Sequence, residues 1–153
     1  MSNRKQELAD NLAATKEHIS AIAAEHDRPS PQLLVVTKFH PAEDIALLAE
    51  LGVEDVAENR EQEARAKAQE LDQLRFHMIG QIQTKKANHV ARWAASVHSV
   101  DSVKLANALD RGVSLAKERG QRENNLPIFI QVSADGDTSR GGVIREELDE
   151  VIE

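Results

Sequence analysis

Short apolar runs and longer amphipathic stripes alternate along the chain. Leu8, Leu12, Thr15, Ile19 and Ile22 step by four and three residues, which puts them on one face of a helix. Arg28-Pro29-Ser30-Pro31 breaks that helix. Leu33 to Lys38 is a compact apolar run that reads as a buried strand. A helix follows from about Ala42 to Leu51, with Pro41 near its start and Gly52 just past its end. Val53 to Glu58 reads as a weaker strand. Asn59 to Leu74 reads as a helix with Ala64, Ala68 and Leu71 on one side. Arg75 to Gly80 is the next strand, Lys86 to Ala95 a helix carrying Val90 and Trp93, and Ser96 to Val100 a short strand. Asp101 or Ser102 can cap the helix whose face is Ala106, Leu109, Val113 and Ala116. Pro127 to Ser133 is a further strand, Asp135 to Gly142 a loop, and a last helix begins near Arg145.

One helix followed by strand–helix units in strict alternation is not an all-α or all-β pattern. It predicts an α/β fold with a parallel sheet. Periodicity leaves two architectures, an open doubly wound sheet and part of a (βα)8 barrel. The 153 residues suit a single domain, 1–153. The surplus of acidic residues, 26 against 19 basic for a net charge of −7, argues against a nucleic-acid partner. The absence of cysteine excludes disulfides, thiolate metal sites and a cysteine nucleophile. No apolar leader and no membrane-length apolar run is present, so no membrane partner is expected, and the cytoplasm is the expected location.

Within this frame Lys38 stands out. Leu34, Val36 and Lys38 share one strand face and Leu33, Val35 and Thr37 the other. Lys38 thus extends an apolar row to the C-terminal end of its strand, where α/β folds bind ligands. Partial desolvation there would lower its pKa and allow a Schiff base, whereas a packed stem with the ammonium in water is the plain structural alternative. Asn59 can point its carboxamide into the same mouth or serve as a helix N-cap. Gly80 either admits a ligand to the backbone or makes a tight turn. The six histidines form no local zinc pair. Asp135, Asp137, Ser139 and Glu146 imitate a calcium loop, but its obligatory glycine position holds Arg140. Ser139-Arg140-Gly141-Gly142 could cradle an anion, though a plain surface loop explains it as well.

Five segments in order carry a resemblance: LLVVTKFHP (Leu33 to Pro41), AENREQE (Ala57 to Glu63), FHMIGQIQTKK (Phe76 to Lys86), HSVDS (His98 to Ser102) and IFIQVSADGDTSRGGV (Ile128 to Val143). Together they resemble the YggS/PROSC family of pyridoxal phosphate homeostasis proteins across essentially the whole chain. Ala57 stands where that family usually has glycine, and Lys85 where it usually has asparagine.

The resemblance implies a (βα)8 TIM-type barrel of fold type III, here the first five βα units plus an N-terminal helix. It implies pyridoxal 5'-phosphate held as a Schiff base on Lys38, with Asn59 beside the cofactor and His77 and Gly80 at the pocket rim. A role in intracellular cofactor homeostasis follows, with pyridoxal-phosphate apoenzymes as possible partners and no robust catalysis. The alternative is a racemase-type enzyme whose second base comes from a partner or a further C-terminal segment. Racemase chemistry of this type uses a tyrosine as second acid/base, and this chain has no tyrosine. Family members carry further strands that bind the cofactor phosphate, and a complete barrel takes about 250 residues. A free, apolar edge at Ile128, Phe129, Ile130 and Val132, self-association and weakened cofactor binding are therefore expected.

Overall fold

The computed structural model describes residues 3–153. Its centre is a five-stranded sheet in which every neighbouring pair is parallel. The strands are β1 (Val35–Val36), β2 (Asp55–Glu58), β3 (Arg75–Met78), β4 (Val97–Val100) and β5 (Ile128–Ile130). The helices are α1 (Asn3–Glu25), α2 (Ala42–Glu50), α3 (Glu61–Glu70), α4 (Ala87–Trp93), α5 (Val103–Glu118) and α6 (Leu148–Ile152). Spatial order repeats chain order, β1-β2-β3-β4-β5. A doubly wound sheet reverses its order at a switch point, whereas a barrel wall adds each strand beside the last. The sheet is part of a barrel wall.

Strand alternation sorts the side chains. Val35, Val56 and Phe76 pack with Ile45 of α2 and with Leu71 and Leu74 just beyond α3. Met78, Val97 and Val100 pack with Val90 of α4 and Leu105 and Leu109 of α5. Helices α2 to α5 therefore cover one face. The opposite face carries Val36, Asp55, Ala57, Arg75, His77, His98 and Phe129. Val97 and Val100 reach the same core although three residues apart, because the β4–β5 register shifts between them and an irregularity of that kind re-aims a side chain. Among the described residues no helix is long and apolar enough to cross a membrane.

Element ends depart from the sequence reading for local reasons. The α5 cap is Ser102, whose Oγ accepts from the Leu105 N–H at 3.1 Å. Helix α3 stops at Glu70, four residues early, because Leu71 and Leu74 leave the helical path to fill the core under Phe76. Strand β1 is two residues long rather than six. Thr37 still pairs, its N–H donating to the Ala57 carbonyl at 2.9 Å, and the chain then turns. Strand β5 ends at Ile130 and is the last strand of the sheet, so among the described residues its outer edge is unpaired as expected, and the departure lies just beyond it. Val132 pairs with Val143 in a parallel bridge, and the Val143 N–H donates to the Gln131 carbonyl at 2.8 Å. Ile128, Phe129 and Val132 all keep exposed apolar surface.

A buried charge sits on the otherwise apolar helix face. Glu58 is fully buried, and Lys67 of α3 donates to both its carboxylate oxygens at 3.1 Å. The Thr37 hydroxyl donates to Glu58 Oε2. This cluster ties the ends of β1 and β2 to α3. Removing one partner of a buried ion pair strands the other charge in low dielectric and costs roughly 3–5 kcal/mol. Lys67→Met is expected to lower unfolding free energy by about that amount. Urea denaturation measures it, and a loss below about 1 kcal/mol would show that the pair is solvated like a surface bridge.

Candidate functional site

Because the strands are parallel and in register, Lys38, Asn59 and Gly80 follow β1, β2 and β3 side by side. This is the C-terminal rim of the sheet, the end at which barrels build their sites.

Lys38 lies in a turn. The His40 N–H donates to the Thr37 carbonyl at 3.1 Å, and Phe39 has φ 69° while Lys38 is not among the positive-φ residues. A four-residue turn with positive φ at its third position alone is type II, a place usually given to glycine. A phenylalanine there costs roughly 1–2 kcal/mol in backbone sterics. The turn lifts Lys38 off the strand, so its side chain is exposed instead of partly desolvated as its place in the apolar row suggests. Its Nζ stands over the Phe39 ring, 5.8 Å from the centroid.

Asn59 is half-buried and is not a helix cap. The cap position of α3 belongs to Arg60, which makes no capping bond. Asn59 instead lies against Gly80: a Cβ on Gly80 would sit 2.0 Å from the Asn59 carbonyl oxygen and 2.5 Å from its Oδ1. Gly80 thus admits the backbone of Asn59, a requirement of close approach. Ser99 secures the same spot, its Oγ donating to the Gly80 carbonyl at 2.6 Å. Alongside, a cleft of about 460 Å³ is lined by Asn59, Arg60, Gln81, Gln83 and Lys86 among others.

His77 lies one layer below the rim, in register with Ala57. Its Nε2 is 2.8 Å from Asp55 Oδ1 and its Nδ1 is 2.5 Å from Ser96 Oγ, which also meets His98 Nε2 at 2.8 Å. Asp55 is a carboxylate acceptor, so His77 Nε2 carries a proton. With a neutral ring the chain then runs from His98 Nε2–H to Ser96 and from the Ser96 hydroxyl to His77 Nδ1. Arg75 grips Asp55 from its other side at 2.7 and 2.9 Å. The Arg75 hydrogen bonds, opposed by burial and assisted by His77, hold the Asp55 carboxyl down at about 2. Burial, and then His77, push His98 below the usual histidine value.

The loop after β5 does not offer its amides to an anion. The Gly141 N–H donates to the Thr138 carbonyl at 3.0 Å, the Gly142 N–H to Asp101 Oδ2 at 3.0 Å, and Val143 to Gln131 as above. Among the described residues no three His, Cys, Asp or Glu side chains are grouped to hold a metal ion. Sequence reading missed Phe39, Arg60 and the Asp55 network. Strand alternation carried beyond β1 would have put Asp55, Arg75, His77 and His98 on one face.

The family model described as alanine racemase, N-terminal domain matches residues 11–153. The pyridoxal phosphate homeostasis protein of Corynebacterium glutamicum is 66% identical over 127 residues, covering 81% of this chain and 58% of that protein. The protein of the same name from Mycobacterium tuberculosis H37Rv is 44% identical, covering 92% of this chain and 60% of its own length. The chain thus spans about three fifths of these relatives. The structure of PipY from Synechococcus elongatus PCC7942 with PLP bound superposes with a TM-score of 0.74 at 33% identity, over 94% of this chain and 63% of that one.

The Asp55 network makes stability depend on pH. A carboxyl depressed from 3.8 to about 2 contributes stability that is fully present above about pH 4 and is lost as pH falls through about 2. Arg75 is 58% exposed, so screening reduces the contribution to about 1–2 kcal/mol. Asp55→Asn is expected to remove that amount at neutral pH and flatten the loss between pH 4 and pH 2. Urea midpoints measured across that range test it, and an equally steep loss in the variant would place the acid sensitivity elsewhere.

Proposed function

Since the chain belongs to the alanine racemase N-terminal domain family, we propose that it binds pyridoxal 5'-phosphate covalently through Lys38 and holds and releases that cofactor without turnover of its own. The observation that carries this reading is the presentation of Lys38. Its amine is exposed at the tip of a turn on the C-terminal rim, and the residue before it is tied into the buried Glu58 cluster. When bound, pyridoxal 5'-phosphate supplies an aldehyde that condenses reversibly with a primary amine. The rim fits that group: a reachable amine stands at Lys38, and the Asn59 carboxamide offers a donor and an acceptor in the neighbouring loop.

The names of the relatives support a homeostatic role, as does the PLP bound in PipY. A carrier suits the chemistry better than a racemase-type enzyme. Two-base exchange at an amino acid needs a second acid/base facing the lysine. In this chain both ring nitrogens of His77 are engaged by Asp55 and Ser96. The proposed setting is the cytoplasm, with apo forms of pyridoxal-phosphate enzymes as recipients.

Borohydride reduction of the protein incubated with pyridoxal 5'-phosphate, followed by peptide mass mapping, tests the assignment. The pyridoxyl group is expected on Lys38, and finding it on Lys85 or Lys86 instead would contradict the reading. In the same preparation, exchange of the alanine α-hydrogen is expected to run no faster than with free cofactor. Exchange well above that rate would favour the racemase-type enzyme.

A further inference from the structure

The residue after Lys38 combines three features that a plain turn does not need. Phe39 holds a positive φ of 69°, the residue is 70% exposed, and two cations lie against its ring. Lys38 Nζ is 5.8 Å from the ring centroid and the Arg60 guanidinium carbon 5.6 Å. Both lie within the range of cation–π attraction. Glycine would satisfy the turn without strain, and an exposed ring gains nothing from a core. What the ring does gain is the two cations, one from each of two neighbouring strand-to-helix connections.

We propose that Phe39 is a positioning residue for Lys38: its ring holds the Lys38 ammonium and restrains the amine until it reacts. The inference rests on the reading of Lys38 as the cofactor-binding amine. The ring acts on one state of the amine and not on the other. A charged ammonium is attracted to the ring quadrupole, whereas a neutral amine acting as nucleophile is not. Leaving the ring is therefore part of the work of reacting. Arg60, held by the same ring and 3.7 Å from Glu63, keeps a second cation at the rim and limits where the ring can swing.

The test reads the reactivity of Lys38 in the absence of cofactor, so it stands or fails separately from the borohydride experiment. The protein is acylated with a small neutral reagent under limiting conditions. Mass spectrometry gives the labelling rate of Lys38 relative to Lys85, an exposed lysine that serves as reference. In Phe39→Leu the Lys38/Lys85 ratio is expected to rise about two- to five-fold, the size of a solvent-exposed cation–π contact. Phe39→Gly, which keeps the turn and removes the backbone strain, is expected to rise equally. Phe39→Tyr keeps the ring and should remain within the wild-type range. An unchanged ratio in Phe39→Leu, or a rise in Phe39→Tyr matching it, would overturn the proposal. A rise confined to Phe39→Gly would overturn it too, by assigning the effect to the backbone alone.

Discussion

The arrangement of the rim depends on a carboxylate buried where the strand pattern calls for an apolar side chain. Glu58 ends β2 facing the helices, fully buried, and is neutralised by Lys67 of α3 and by the Thr37 hydroxyl. Thr37 precedes Lys38 and Glu58 precedes Asn59. Pinning these two residues against the helices leaves Asn59 to emerge on the rim directly after its strand and Lys38 from the turn that follows Thr37. One interaction thus fixes the exit points of two candidate site residues. The third position is fixed by contact: Gly80 lets the Asn59 backbone approach closer than any side chain would allow.

Polar groups are divided between the two faces of the sheet by the same alternation. The helix face tolerates one compensated ion pair within an aliphatic core. The opposite face carries the Asp55–His77–Ser96–His98 chain, bounded by Arg75 at one end and by the Phe129 ring, 4.6 Å from His98, at the other. Each buried polar atom of this chain finds a partner, which is the condition for placing such groups in a wall. Its place one layer below the rim, in register with Val36 and Ala57, makes His77 part of the wall that supports the rim.

Much of this was legible in the sequence, and the failures have definite physical causes. The alternation of apolar runs and helical stripes gave five strand–helix units, and the ordered motifs gave the barrel that periodicity alone could not separate from a doubly wound sheet. The facing of Val35, Val36 and Thr37 followed from period-two alternation. What failed was the exposure of Lys38, since an apolar row does not reveal that the chain leaves the strand after Thr37. A bulky Phe39 at a position that favours glycine conceals the turn from residue preferences. Asn59 is a favoured cap residue, yet the helix starts one position later and its side chain meets Gly80. The pairing of Val132 with Val143 depends on a loop returning to the sheet edge, which no local pattern announces.

Whether Lys38 is the amine that takes up pyridoxal 5'-phosphate is tested most directly by the absorption spectrum of the cofactor. Titration of the protein into pyridoxal 5'-phosphate should change the near-visible absorption of the cofactor in a saturable way. The change should be absent in Lys38→Ala, a substitution at an exposed position that leaves the Glu58 cluster intact. A spectral change of the same form and amplitude in Lys38→Ala would contradict the account, because another amine would then be carrying the cofactor.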